Sequence, residues 1–449
     1  MNFTTVIDLI KLRLIPALYI LYAISLLCSN GGMETFSWLT FILVILVSVY
    51  DYFKNDQKPI IPVSPLNKWV FITILALFAS VLFSPYLGQT ERPMSYYLGR
   101  VRNWILFYYH LIIFVRFVDY KKVIKYISIF ITPIVLLYMF MSVSGISSIK
   151  DLSKINWVWD FSRGIQGFFV MYIEYANIFE LHFFILLGIA LYYKIKNKNY
   201  KIWLYASLAI VLFSLFVCGS RAPYMAIPLG LIAMLAMSKS RKALLIALSA
   251  LIVLGAVGYK TNSFIQHKAK FTVDNIKTFG DASRYGLWKT HLSMFKEHPI
   301  LGVGYEIAQE DFINLQHFNK LGIKQKDPAL YRWLLRTHKK AHNMFIYMLS
   351  STGIIGFMAF MLVLGTVVFM LIRLRKWIYK NIEGNNTEAA LADINYDLGL
   401  LTGLSGAWAT VFANMIVDTN FANLRMGHNI IFVMGLTAFL YSKYKKFKT

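Results

Sequence analysis

The pair His342-Asn343 stands just before a long apolar run, with Gly353 eleven residues after the histidine and Gly356 three beyond that. Eleven residues are close to three helical turns, so this spacing predicts His342, Gly353 and Gly356 along one stripe of a helix. Small residues on that stripe let another element approach closely. At a helix N-terminus the positive end of the macrodipole disfavours the imidazolium and leaves a neutral ring ready to accept a proton. A histidine that merely ends a helix at a membrane interface fits the same residues.

Two arginines stand in comparable surroundings. Arg221 follows Gly219-Ser220 between two apolar runs, where it either snorkels to the interface or holds an anion. Ser283-Arg284 is followed by Trp288, four residues on and so on the same helix face, and the run His298-Pro299-Ile300-Leu301-Gly302-Val303-Gly304 reads as the turn ending that helix. Two guanidinium groups can hold and neutralise a pyrophosphate as it leaves, while a neutral imidazole takes the proton of an attacking hydroxyl. No Asp-x-Asp motif in the outward segments and no His/Cys metal spacing accompanies them, so neither metal nor cofactor is expected.

The elements that must position these residues are membrane helices. Of 449 residues 57% are hydrophobic and 16% aromatic, and the mean hydropathy is +0.55, which excludes an ordinary soluble surface. The expected architecture is an all-α, polytopic bundle of about twelve spans: 12–29, 36–53, 69–85, 101–118, 123–145, 176–193, 202–218, 222–237, 242–258, 341–372, 397–417 and 427–442. Alternate connections are rich in Lys and Arg, as at Lys121, Lys122 and Lys125, at Lys194, Lys196 and Lys198, and in the tail from Lys443. The positive-inside rule makes these cytoplasmic and puts both termini inside, in agreement with an even number of spans. Arg221, Arg284 and His342 then fall on the opposite, outward side.

The chain divides into 1–258 with nine spans, a large outward loop at 259–340, and 341–449 with three more. The loop holds fourteen Lys or Arg against seven acids, about +7, which suits phosphate or pyrophosphate partners as well as acidic head groups. The formal charge of +24 does not point to nucleic acid, because the basic residues punctuate apolar runs and build no basic domain. Cys28 and Cys218, the only cysteines, are too few for a disulfide framework or a thiolate metal site.

The His342-Asn343 segment with Gly353 and Gly356, the Gly219-Ser220-Arg221 turn, and the Arg284/Trp288 stretch running into residues 298–304 together resemble the O-antigen ligase and polymerase superfamily, across most of residues 200–360. The resemblance implies a membrane-embedded glycosyltransferase of the bacterial inner membrane, with its active site in the periplasm. Its donor would be an undecaprenyl-diphosphate-linked glycan and its acceptor the lipid A-core oligosaccharide of lipopolysaccharide. It also implies that Arg221 and Arg284 bind the diphosphate and that His342 is the general base. A late acidic residue is expected as well, and Asp418, after the eleventh span, is the choice; Asn343 and Trp288 are supporting candidates. An O-antigen polymerase and a protein O-oligosaccharyltransferase share this donor and differ in acceptor. A lipid-linked saccharide transporter is the rival from another class, and Glu180 and His182 in the sixth span are its best evidence, unless they simply pack inside the bundle.

Overall fold

The computed structural model describes residues 3–55, 63–144, 172–218, 222–238, 282–336, 340–384 and 387–445, with Ser220 and a few isolated positions between 239 and 281. Among the described residues every regular element is helical. The principal helices are α1 (Ile15–Cys28, continued from Phe3–Leu9 through a π-helical turn), α2 (Asn30–Asn55), α3 (Pro65–Leu82), α4 (Met94–Val101), α5 (Leu106–Arg116), α6 (Tyr120–Ser144), α7 (Tyr172–Tyr192), α8 (Lys198–Val217) and α9 (Ala222–Met237). There follow α10 (Ala282–Glu297), α11 (Asp311–Lys320), α12 (Ile323–Lys326), α13 (Pro328–Arg336), α14 (Met344–Gly384), α15 (Glu388–Val417) and α16 (Leu424–Lys445).

Nine helices among the described residues are long and apolar enough to cross a membrane. Two more of the expected spans are present as shorter helices, α5 and α9. The span expected at 242–258 lies largely outside the described residues. An all-α polytopic bundle is therefore what these apolar runs build.

Glycine sets its tightest crossing. A β-carbon added to Gly188 of α7 would sit 2.2 Å from the Gly399 carbonyl oxygen of α15, and one on Gly403 would sit 2.6 Å from the Phe184 carbonyl oxygen. Backbone therefore meets backbone between these two helices, as small residues permit in lipid. The polar residues of α7 are absorbed in the same packing. Buried Glu180 accepts from the Asn414 amide of α15 at 2.9 Å, and His182 shares a 2.9 Å hydrogen bond with Asn429 of α16. At the far end of the bundle Asp51 joins Lys11 and Arg116, while Lys443 bonds Asp397 at 2.6 Å.

Helix α14 is not continuous, which corrects the single stripe expected from His342 to Gly356. The helix begins at Met344, after the histidine, and breaks at Gly353, where φ is 61° and ψ −165°. The 298–304 run is laid into that break. Its Val303 and Gly304 amides donate to the Ser350 and Ser351 carbonyls at 3.0 and 2.9 Å, and the Ile354 amide donates back to the Pro299 carbonyl at 2.8 Å. Backbone groups freed from the helix are thus satisfied by the motif, a requirement that is severe where water is scarce.

Both glycines of the contact are needed for closeness. A β-carbon on Gly353 would lie 2.3 Å from the Ile300 carbonyl oxygen, and one on Gly302, with φ 68°, would lie 2.5 Å from the Ser351 carbonyl carbon. Residues 282–336 fold beside this contact around their own small core of Leu287, Phe318, Ile323 and Leu334.

Gly353→Ala should therefore cost about 1–3 kcal/mol from backbone strain alone, with the clash against Ile300 adding to it. Gly365→Ala in the same helix, where a β-carbon meets nothing within 4 Å, should leave stability unchanged or raise it by up to about 1 kcal/mol. Thermal unfolding midpoints of the two variants in nanodiscs check the contrast, and equal midpoints would remove the docking of 298–304 as the reason for the break.

Candidate functional site

Helix α10 brings the first candidates. Arg284 lies in its first turns and is half-buried. Trp288, one turn on, donates its indole N–H to the Ala341 carbonyl at 2.9 Å, so the tryptophan fixes the residue immediately before His342. His291, in the next turn, stands 2.8 Å from the Ser350 hydroxyl at the break in α14. The face of α10 that carries Trp288 and His291 is thus turned toward the first part of α14 and the turn before it.

His342 occupies the turn that leads into α14, with φ 45°, a left-handed conformation that a non-glycine residue adopts only when its surroundings impose it. Asn343 is one of the residues that hold this turn. Its side-chain oxygen accepts from the Ile346 amide at 3.0 Å, capping the helix, and its side-chain nitrogen donates to the Ile416 carbonyl at 3.0 Å, near the end of α15. One asparagine therefore ties the histidine turn to both helices.

Asp418 is the residue that ends α15, held by its backbone amide on the Asn414 carbonyl at 2.8 Å. Its Oδ1 accepts from the Thr419 amide at 2.8 Å and lies 3.6 Å from His342 Nδ1. The two side chains are 20% and 24% exposed, so the pair is reachable from solvent without being bathed in it. A carboxylate beside Nδ1 favours the tautomer that carries its proton there and leaves Nε2 as the acceptor. That is the arrangement a general base requires.

A second polar group adjoins this turn, and nothing in the spacing of the sequence pointed to it. Among the described residues, Glu306 and His342 are the two non-glycine positions with left-handed backbone. The Glu306 carboxylate is buried and accepts from the Tyr347 hydroxyl at 3.0 Å and from the Gln309 amide at 3.2 Å. Arg100 of α4 approaches it to 4.0 Å. The neighbouring Tyr97 hydroxyl donates to Glu310 at 2.6 Å, so α4 is fastened to the 306–310 turn through two carboxylates. The only trace in the sequence is that Glu306 lies two residues past Gly304, at the end of the glycine run.

The structure thus brings together Trp288, His342, Asn343 and Asp418, with Arg284 on the helix that carries Trp288. Arg221 lies outside the described residues. The direct Asp418 neighbour of His342 could not be aligned by spacing, because the two are 76 positions apart and meet only where α14 begins and α15 ends.

Residues 206–361 match the family model described as O-Antigen ligase, which supports the O-antigen ligase and polymerase superfamily without separating ligase from polymerase. The matched segment contains Arg284, Trp288, the 298–304 run, His342 and both glycines; Asp418 and Arg100 lie outside it. An uncharacterized protein of Haemophilus influenzae is 25% identical over 228 residues, 48% of this chain and 50% of its own length. The chain thus spans about half the length of that curated relative. Its many apolar helices make the chain a multi-pass membrane protein, of which residues 206–361 are similar to the O-antigen ligase family.

Burial pushes the Glu306 carboxyl up from its ordinary 4.5, against the opposing pull of Arg100 and Lys340. A carboxyl raised in the folded state keeps its proton while the unfolded chain loses it. Its contribution therefore declines as pH rises from the unfolded value through the folded one, and is constant above. Unfolding midpoints of wild type and Glu306→Gln, compared from about pH 4 to about pH 8, should show this decline in the wild type and its loss in the variant. Parallel curves would mean that the Glu306 carboxyl titrates alike in the folded and unfolded chain.

Proposed function

We propose that the chain is an O-antigen ligase-type glycosyltransferase that moves a polysaccharide from undecaprenyl diphosphate to the lipid A-core oligosaccharide. The observation that carries this reading is the placement of Asp418 3.6 Å from Nδ1 of His342 at the head of α14. His342 Nε2 takes the proton of the acceptor hydroxyl as that oxygen attacks the anomeric carbon of the donor. The bond from that carbon to the diphosphate breaks, and undecaprenyl diphosphate leaves with the electron pair. Asp418 stabilises the imidazolium that forms, and Arg221 and Arg284 neutralise the departing diphosphate.

The same reading sets the protein in the bacterial inner membrane with both termini cytoplasmic and this site periplasmic. Residues 259–340 then form the periplasmic loop that faces the two lipid-borne substrates, its net positive charge suited to the diphosphate. Glu180 and His182 bear on the transporter alternative. Each is buried against an asparagine of another helix, which supports a packing role for them.

Purified protein given a polyprenyl-diphosphate-linked glycan, with lipid A-core and a second lipid-linked repeat offered in parallel, tests this. His342→Ala should lower transfer by about 10²–10⁴-fold with the protein still inserted and abundant. Arg284→Lys should also impair it, because a point charge does not reproduce bidentate phosphate contacts. Product on lipid A-core alone would identify a ligase, and chain extension alone a polymerase. No histidine-dependent product with either acceptor would overturn the reading in favour of a protein acceptor or transport.

A further inference from the structure

A cavity of about 100 Å³ opens between α2, α16 and the turn that joins α4 to α5, at the end of the bundle that carries His342 and Asp418. A single water needs roughly 10–15 Å³ on this measure, so the cavity suits something larger. Its walls are apolar, with Trp38, Phe41 and Leu106 among them. Its rim is charged and balanced. Arg102 lies 3.2 Å from Glu34, and its guanidinium stands over the Trp38 ring at 5.1 Å. Both partners of this pair are well exposed, so the pair is cheap to open.

Deeper on the same wall is His428, 2% exposed, whose Nε2 has no hydrogen-bond partner. Its other nitrogen is already engaged, 3.4 Å from the Tyr22 hydroxyl, which in turn reaches His110 at 3.3 Å. A buried ring nitrogen left without a partner costs free energy unless something entering the cavity meets it. Cation and anion at the rim, one hydrogen-bonding group below them and an apolar slot beside it follow the order of parts in a zwitterionic glycerophospholipid.

We infer that this cavity binds one phosphoethanolamine lipid, its phosphate on Arg102, its ammonium on Glu34, an ester carbonyl on His428 Nε2 and an acyl chain along Trp38, Phe41 and Leu106. Glu34 disfavours a lipid whose head group is only anionic, since two like charges would then share the rim. It also prefers a primary ammonium to a quaternary one, which has no N–H to donate. The cavity is distinct from the transfer site yet joined to it. The rim residues Arg102 and Asn103 run directly into Trp104, whose ring stacks at 4.9 Å on Phe421, three residues after Asp418.

Full-length protein is equilibrated with phosphatidylethanolamine, phosphatidylcholine and phosphatidylglycerol in equal amounts, and retained lipid is read by native mass spectrometry. Phosphatidylethanolamine should be retained about tenfold over each of the others, a difference near 1.4 kcal/mol. Glu34→Gln should reverse the preference toward phosphatidylglycerol, because Arg102 is then unopposed. Ile105→Trp, which fills the cavity from a position 38% exposed on its rim, should abolish retention with the unfolding midpoint unchanged. Equal retention of the three lipids, or a phosphatidylethanolamine preference that survives Glu34→Gln, would overturn the assignment, and neither result depends on whether the protein transfers glycans.

Discussion

Much of this molecule depends on one backbone exchange, the docking of residues 299–304 into the break of α14 at Gly353. A helix interrupted inside a membrane protein exposes amides and carbonyls that must find partners. Here the partners come from a single run of chain, which gives two amides to Ser350 and Ser351 and accepts one from Ile354. Each such bond contributes about 0.5–1.5 kcal/mol net, and leaving the same groups buried and unpaired would cost more. The exchange fixes where α10 ends, and so where Arg284 and Trp288 stand relative to the turn before α14.

From that contact the site is held at several further points. Trp288 anchors Ala341, His291 meets Ser350, and Asn343 spans from Ile346 to Ile416. These ties come from α10, α14 and α15, so the His342 turn keeps its strained backbone because three helices over-determine it. Below it Glu306, in the same rare conformation, binds Tyr347 and faces Arg100. Strain and buried charge thus collect in one neighbourhood, as expected where side chains must be presented in a fixed geometry.

The remainder of the bundle obeys simpler rules. Gly188, Gly399 and Gly403 let α7 and α15 touch through their backbones, and Asn414 and Asn429 satisfy the polar side chains that α7 carries into the interior. At the far end Asp51 and Asp397 gather lysines and arginines that the sequence distributes among separate connections. The charge pattern that reports topology is therefore also a set of ion pairs closing that end.

Hydropathy and charge alternation are local properties of the chain, and they determined the all-helical bundle, the positions of most spans and the end at which Arg284 and His342 gather. The residue types also singled out His342 and Arg284 as candidates, because an imidazole can accept a proton and a guanidinium can hold an anion. Only the tertiary structure decided that Gly353 breaks its helix, that His342 precedes the helix in place of lying on it, and that the 298–304 run fills the gap. Helical periodicity carries no sign of a break whose cause is a backbone segment about fifty residues away. The Asp418, Glu306 and Arg100 contacts were hidden for the same reason: each joins residues far apart in the chain, and their proximity is set by which helix ends meet.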